Sequence, residues 1–188
     1  MIAVVAKKRV DEALVKYPFE WVVSFGEVGS IMPHSLYGWD ANKLLRLEFD
    51  DVDYDLTHPQ LGYYGITEDQ AEELAQFLAR VDGPVLFHCA AGISRSSGAA
   101  LCYLALQEDV GNEAAAIGKL HEVWQWTVRA GLRDQWIDPD HDPSTFQPNR
   151  RLVYYVDGVV GMGGRLLAAL ESSRYFEGKQ PFDPARLG

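Results

Sequence analysis

The segment that most constrains the fold of this chain runs from Val85 to Leu106, with the sequence VLFHCAAGISRSSGAALCYLAL. Its first residues are almost wholly apolar, which predicts a strand in the middle of a sheet with both faces covered. From Ser96 onward, small and apolar residues continue for several turns, which predicts a helix buried on nearly all sides. A strand that passes through a short glycine-bearing loop into a buried helix is typical of a layered α/β domain.

The remainder of the chain alternates in a similar way between short apolar runs and amphipathic stretches. Strands are predicted at 2–6, 21–25, 44–49 and 85–90, and helices at 67–81, 96–108, 112–126 and 151–170, the last one weakened by its glycines. Thr67 and Gln70 predict a capping box at the start of the first helix. This order predicts a single α/β domain with a central, mostly parallel sheet flanked by helices. We assign 1–170 to the domain and 171–188 to a polar C-terminal tail on its surface.

The composition limits the partners and the compartment of the chain. Its 188 residues carry a formal net charge of -10, which repels nucleic acid and anionic membrane surfaces. The two cysteines, Cys89 and Cys102, are too few for a disulfide framework, and no apolar run has the length of a membrane span. The apolar start precedes its positive charges, which is the reverse of a secretory signal. We therefore expect a cytoplasmic protein that binds neither nucleic acid nor membranes.

The loop between the predicted central strand and the buried helix, HCAAGISRS, has the composition of an anion site. In an open α/β sheet, ligands bind where the carboxyl end of a strand leads into a helix. The backbone N–H groups of residues 90–95 can turn inward as a nest, and the helix N-terminus adds positive potential. Gly92 permits a backbone conformation that a side chain would obstruct, and Ala90 and Ala91 allow an anion to approach closely. The loop therefore predicts a phosphate site.

Reactive and charged side chains accompany this loop. A cysteine at a helix N-terminus beside a cation ionises more readily than a free thiol, and its thiolate is a nucleophile, which makes Cys89 the candidate. Arg95 follows six residues later, and its planar guanidinium can bind two phosphoryl oxygens at once. His88 is expected to help set the loop geometry and the acidity of the thiol, and Ser96 to donate a hydrogen bond to the sulfur. Cys102 lies in the apolar helix and is predicted to be a core residue.

The pattern His88-Cys89-x5-Arg95-Ser96 resembles the signature loop of the cysteine-dependent protein tyrosine and dual-specificity phosphatases. Together with LRLEFDDVD before it and QPNRRLVYYVDGVVG after it, the chain from about residue 21 to 170 is similar to small bacterial members of that superfamily. The resemblance implies hydrolysis of phosphotyrosine, and in dual-specificity members of phosphoserine and phosphothreonine, through a cysteinyl-phosphate and without a metal or cofactor. It implies a phosphorylated protein or peptide as the substrate.

The resemblance also implies roles for individual residues. Cys89 would be the nucleophile, Arg95 the phosphate-binding side chain and an aspartate the general acid, while His88 and Ser96 would assist the nucleophile. The phosphate loop would be formed by Ala90, Ala91, Gly92, Ile93, Ser94 and Arg95.

Several aspartates after the third predicted strand compete for the role of general acid, namely Asp50, Asp51, Asp53 and Asp55. Similar enzymes carry this residue just beyond the equivalent strand, on a loop ahead of the signature. Asp51 continues the alternation of apolar residues in 45–49, and it matches the aspartate of the family pattern best. We therefore expect Asp51 to be the acid, with Asp50 and Asp53 as alternatives.

Two other functions remain open on the sequence. The first is a phosphatase of non-protein substrates such as phosphoinositides or nucleotides. Relatives that favour inositol lipids tend to carry lysines inside the loop, whereas this chain has Ala90, Ala91 and Ile93, which counts against a polyanionic substrate. The second is an inactive module that binds phosphopeptides, against which the intact Cys89 and Arg95 count.

The C-terminal third adds supporting residues rather than a second site. Asn149 matches a segment that supports the loop in similar enzymes. The arginines of this region are predicted to form a solvated face, and they are Arg129, Arg133, Arg150 and Arg151. The acidic cluster at 138–142, DPDHD, lacks the glycine and the terminal glutamate of a calcium loop and is predicted to be a solvated loop, so no metal site is expected.

Overall fold

The computed structural model describes residues 1–53, 62–133, 146–176 and 180–187 of the chain. The strands are β1 (Ile2–Ala6), β2 (Trp21–Gly26), β3 (Leu44–Glu48) and β4 (Val85–Cys89). The helices are α1 (Val10–Lys16), α2 (Glu68–Leu78), α3 (Arg95–Ala105), α4 (Glu113–Arg129), α5 (Arg150–Val159) and α6 (Arg165–Glu171). Within these ranges, none of the helices combines the length and the apolar character needed to cross a bilayer.

The strands form a 4-stranded sheet in the order β1-β4-β2-β3, and every neighbouring pair is parallel. Because β4 lies between β1 and β2, all of its residues are buried. The predictions of an α/β fold and of a central strand at 85–90 are confirmed. In a parallel sheet all the strands end at the same edge, so the segments that follow β1, β2, β3 and β4 lie close together there.

Side chains that alternate along the strands divide the interior into two cores, one on each face of the sheet. Val85, Phe87 and Cys89 of β4 belong to the larger core, to which α2 to α6 all contribute. Leu86 belongs to a smaller core on the opposite face, which α1 helps to cover. Cys102 lies in the larger core, as predicted.

The start of α2 follows the sequence prediction, whereas the start of the protein does not. The Thr67 hydroxyl accepts the N–H of Gln70, and the Gln70 side chain accepts the N–H of Thr67, so the capping box is confirmed. Helix α1 was not predicted from the sequence. Its 7 residues bury only Val10 and Ala13, which is too short an apolar pattern to reveal a helix.

The predicted helix at 151–170 consists of two helices, α5 and α6. Gly161, Gly163 and Gly164 have φ angles of 75°, 64° and 84°, a region that favours glycine, and they end one helix before the next begins. The glycines that were expected to weaken a helix therefore interrupt it.

The segment after α6 packs more tightly than a surface tail. Phe182 is 7% exposed, and its ring centroid lies 5.5 Å from that of Tyr154 on α5. Its N–H donates to the Glu171 carboxylate over 2.7 Å. A single buried aromatic residue in a polar segment produces no periodic pattern, so the contact between Phe182 and Tyr154 could not be predicted from the sequence.

Asp157 on α5 offers a test of how this C-terminal region is held. Its carboxylate is fully buried and accepts the N–H groups of Gly164, Leu166 and Leu167 at 2.6, 2.8 and 3.1 Å. We expect Asp157→Ala to lower the free energy of unfolding by about 3 kcal/mol, because these donors then lose a charged acceptor inside the protein. Urea denaturation would measure the loss, with the exposed Asp109→Ala as a control that changes it by about 0.5 kcal/mol or less. A loss no larger than the control's would contradict this interpretation.

Candidate active site

Cys89 is the last residue of β4, and Arg95 is the first residue of α3. The Sγ atom of Cys89 lies 3.2 Å from the backbone nitrogen of Gly92, which donates to it, and 3.2 Å from the Ser96 hydroxyl oxygen. The side chain is buried, with 1% exposure. The thiol therefore lies inside a strand–loop–helix turn at the edge of the sheet where strand ends meet.

Gly92 is essential to the path of this loop. Its φ angle is +71°, and a Cβ atom built there would lie 2.5 Å from the backbone nitrogen of Ala6 and 2.5 Å from the carbonyl carbon of Val5. No side chain fits at that distance from a backbone. The loop can therefore lie against the end of β1 and direct the Gly92 N–H toward sulfur only because this residue is glycine.

Arg95 is 1% exposed and is held from two neighbouring strand ends. Its Nη1 donates to the carbonyl oxygen of Phe49, just after β3, and its Nη2 donates to Glu27, just after β2, each over 2.7 Å. The hydrogen bond from Arg95 holds the pKa of Glu27 below its ordinary value. Nε has no hydrogen-bond partner in the part of the chain that the structure describes, so its N–H is available to a ligand.

The candidate acids have different partners. Asp51 accepts a hydrogen bond of 2.6 Å from the Ser94 hydroxyl in the loop, and its other oxygen is 3.8 Å from Nε of Arg95. Asp50 accepts the N–H of Tyr64. Asp53 pairs with the guanidinium of Arg150 on α5 at 2.9 Å. Asp55 lies outside the described residues.

Asn149 connects the loop, Asp51 and helix α5. Its N–H donates to the carbonyl oxygen of Ser94 over 3.1 Å, and its side-chain NH2 donates to Asp51 over 3.0 Å. Its side-chain oxygen accepts the N–H of Leu152, which caps α5. The residue is 3% exposed, so these contacts are shielded from water.

His88 lies behind the loop, on the face of the sheet opposite Cys89, because successive strand residues point to opposite faces. Its ring is fully buried, and neither ring nitrogen has a hydrogen-bond partner among the described residues. Burial, followed by the positive charges of Arg46 and Lys7, lowers the pKa of His88 to about 3. The ring is therefore neutral near pH 7.

Glu27 was not predicted as a site residue, and the prediction of a solvated face for the arginines of the C-terminal third was wrong in part. Glu27 lies far from the loop in sequence, and only its position directly after a strand could have suggested a place at this edge. Arg150 pairs with Asp53, and Arg151 is 5% exposed and donates to the carbonyl oxygen of Ile66. Arg133 donates to the carbonyl oxygen of Gly92, so none of these three belongs to a solvated face. The exposed Arg129 fits the prediction.

The described residues include no group of three or more His, Cys, Asp and Glu side chains placed to hold a metal ion. The acidic cluster at 138–142 lies outside those residues.

Replacing Gly92 tests the close approach of the loop to β1. We expect Gly92→Ala to lower the free energy of unfolding by more than about 3 kcal/mol or to abolish folding, because the methyl group meets backbone that cannot move aside. Gly111→Ala is the matched control, since Gly111 also has a positive φ but a Cβ atom built there would have no other atom within 4 Å. Its cost should be about 1 kcal/mol, from backbone strain alone. Equal losses in urea denaturation would contradict the steric argument.

His88 gives the stability of the fold a dependence on pH. Because its folded pKa of about 3 lies below the ordinary 6.5, protonation favours the unfolded chain. This contribution is fully present above about pH 6.5 and is lost as the pH falls, reaching about 2 kcal/mol at about pH 5. Urea denaturation at about pH 7.5 and pH 5 should show this loss in the wild type and in the exposed control His34→Gln, but not in His88→Gln. A slope retained in His88→Gln would assign the pH dependence to other groups.

Several solved structures are similar to the structure of this chain. The Yvh1 phosphatase domain from Chaetomium thermophilum matches at 15% sequence identity with a TM-score of 0.44, covering 88% of this chain and 92% of that chain. PTPMT1 in complex with PI(5)P matches at 16% identity with a TM-score of 0.46, covering 86% and 93%, and a second PTPMT1 structure at 15% with 0.37, covering 88% and 95%. A scan against protein-family models and a search of curated proteins find no match.

Proposed function

We propose that this chain is a phosphatase of the cysteine-dependent protein tyrosine and dual-specificity superfamily, with residues 1–170 as the phosphatase domain and 171–188 as its tail. Its substrates are phosphotyrosine and, through the same loop, phosphoserine and phosphothreonine in proteins or peptides. One observation carries the proposal, namely that the buried Sγ of Cys89 receives the N–H of Gly92 inside a strand–loop–helix turn. A cysteine that only filled space in a core would need no such donor.

In the first step the phosphoryl group binds in the loop, held by backbone N–H groups and by Nε of Arg95. These donors bind more strongly as negative charge builds up in the transition state. The thiolate of Cys89 attacks phosphorus in line with the leaving group, forming an S–P bond while the P–O bond to the substrate breaks. Asp51, in its protonated form, donates its proton to the departing oxygen.

In the second step water attacks the phosphorus of the cysteinyl-phosphate, and Asp51 now accepts its proton. The S–P bond breaks, its electron pair returns to sulfur and inorganic phosphate is released. The Gly92 N–H and the Ser96 hydroxyl, each 3.2 Å from Sγ, stabilise the departing thiolate.

Asp51 is the best supported general acid because it alone among the described candidates contacts the loop, through the Ser94 hydroxyl. Asp50 is engaged by the backbone of Tyr64, and Asp53 by Arg150.

Uncharged side chains in the loop itself favour phosphotyrosine over a substrate with several phosphates. Ala90 and Ala91 are exposed in the loop and carry no charge. Apolar side chains in the loop would suit the ring of phosphotyrosine, whereas the extra phosphates of an inositol or nucleotide would require cations. A cytoplasmic location would keep the thiol reduced.

The proposal is tested by hydrolysis of p-nitrophenyl phosphate with a chelator present. We expect Cys89→Ser to lose nearly all activity and the control Cys102→Ala, in the core, to keep it. Asp51→Asn should lower kcat by about 10²- to 10⁴-fold on phenyl phosphate, and by less on p-nitrophenyl phosphate, whose leaving group needs little protonation. Asp50→Asn and Asp53→Asn, which carry the same chemical change, should retain activity within about tenfold. A larger loss in either of these would move the acid to that position.

Phosphopeptides and small phosphates then distinguish the substrate classes. The proposal predicts a higher kcat/KM for a phosphotyrosine peptide than for a nucleotide or a water-soluble inositol phosphate. The reverse order would support a phosphatase of non-protein substrates. Binding of the phosphotyrosine peptide by the wild type without hydrolysis would support an inactive binding module.

A further inference from the structure

Arg133, which follows α4, contacts the phosphate loop from its outer side. Its Nη1 donates to the carbonyl oxygen of Gly92 over 3.0 Å. Its guanidinium carbon lies 3.3 Å from the ring centroid of Trp124 on α4, so the planar group is stacked on an aromatic face. Nε is buried and has no hydrogen-bond partner among the residues that the structure describes. The side chain is therefore held in place by Trp124 and by the loop.

The loop needs donors on its outer side. When backbone N–H groups point inward to an anion, the carbonyl groups of the same peptides point outward and must find partners away from the ligand. The carbonyls of Ala90, Ile93 and Ser94 accept from the Lys7 N–H, the Ser97 hydroxyl and the Asn149 N–H, respectively. All of these donors are uncharged groups. Gly92 differs because its outer partner is the guanidinium of Arg133.

The Gly92 residue links Arg133 to the sulfur. Its N–H donates to Cys89 Sγ and its carbonyl oxygen accepts from Arg133. The two groups belong to successive peptides joined at the Cα atom of Gly92, so the backbone conformation of this residue determines both contacts. Burial lowers the pKa of Arg133 to about 10, whereas the negative charge of the Cys89 thiolate raises it. The guanidinium is therefore still protonated near pH 7 and lies within electrostatic reach of the thiolate.

We propose that Arg133 is a positioning residue, which holds the Gly92 carbonyl and thereby fixes the backbone conformation of Gly92 from which its N–H reaches Cys89, and which adds a second positive charge that favours the thiolate. The inference deepens the proposed function and rests on it for its catalytic consequence. Arg133 would act through the loop and would not itself bind the substrate.

Other charged or titratable groups surround the loop from every neighbouring element. They are Lys7 after β1, Glu27 after β2, Asp51 after β3, His88 on β4 and Arg95 on α3. Because none of them changes when Arg133 is replaced, a comparison of variants at the same pH isolates the effect of Arg133.

The test is the rate at which iodoacetamide alkylates Cys89, measured from about pH 5 to 9 by the mass of the intact protein. This reagent is neutral, so its rate follows the thiolate and not the binding of anions. We expect Arg133→Met to move the pH profile toward higher pH and to lower the rate near pH 6 about tenfold, the effect of about one pH unit. Arg133→Lys keeps the charge and should stay within about threefold of the wild type. The control Arg129→Met removes an exposed arginine at the end of α4 and should leave the profile unchanged.

Each variant tests the inference separately, and thermal unfolding of each shows whether it folds. An unshifted profile in a folded Arg133→Met would overturn the inference, and so would a full tenfold loss in Arg133→Lys. If the Met variant fails to fold, Arg133→Gln, which also removes the charge, takes its place with the same expected shift. A shifted profile in a protein that hydrolyses no phosphate ester would refute the proposed function while retaining the role of Arg133. Normal hydrolysis of phosphate esters together with an unshifted alkylation profile in the folded Arg133→Met variant would support the proposed function and refute the role of Arg133.

Discussion

The buried guanidinium of Arg95 is the interaction on which the rest of the site depends. A charged group removed from water must make hydrogen bonds, and Arg95 makes them to Phe49 and Glu27, which follow two different strands. Its backbone at the same time begins α3. The end of β3, the end of β2 and the start of the helix are therefore held together around one side chain. Asp51 comes two residues after Phe49, so the same contact brings the candidate acid to the loop.

The remaining contacts hold the loop from outside and leave its interior for a ligand. Asn149 bonds to the backbone of Ser94 and to the side chain of Asp51, and thereby ties α5 to both. Gly92 lies so close to the end of β1 that no side chain is possible. His88, on the opposite face, remains neutral because burial opposes its charge. The polar side chains of Arg95 and Asn149 thus hold the backbone segments that surround the loop.

The parts of the structure that the sequence predicted correctly are those in which neighbours in sequence are neighbours in space. The central strand and the helix after it follow from an apolar run and from small residues, and the capping box of α2 follows from Thr67 and Gln70. The break between α5 and α6 was harder to predict, because a glycine can either weaken a continuous helix or end it, and the residue type is the same in both cases. Only the positive φ angles of the three glycines distinguish the two cases.

By itself the sequence determined the α/β class, the strand–loop–helix turn and the positions of Cys89 and Arg95 at the two ends of its loop, because a six-residue spacing and a glycine are local properties. The tertiary structure alone decided which distant groups surround them. Glu27 and Arg133, which the sequence did not indicate, reach the loop from separate segments, since parallel strands end at one edge and bring their following loops together there. It also separated Asp51 from Asp50 and Asp53, because a difference of one or two residues in a loop changes the partner of a carboxylate completely.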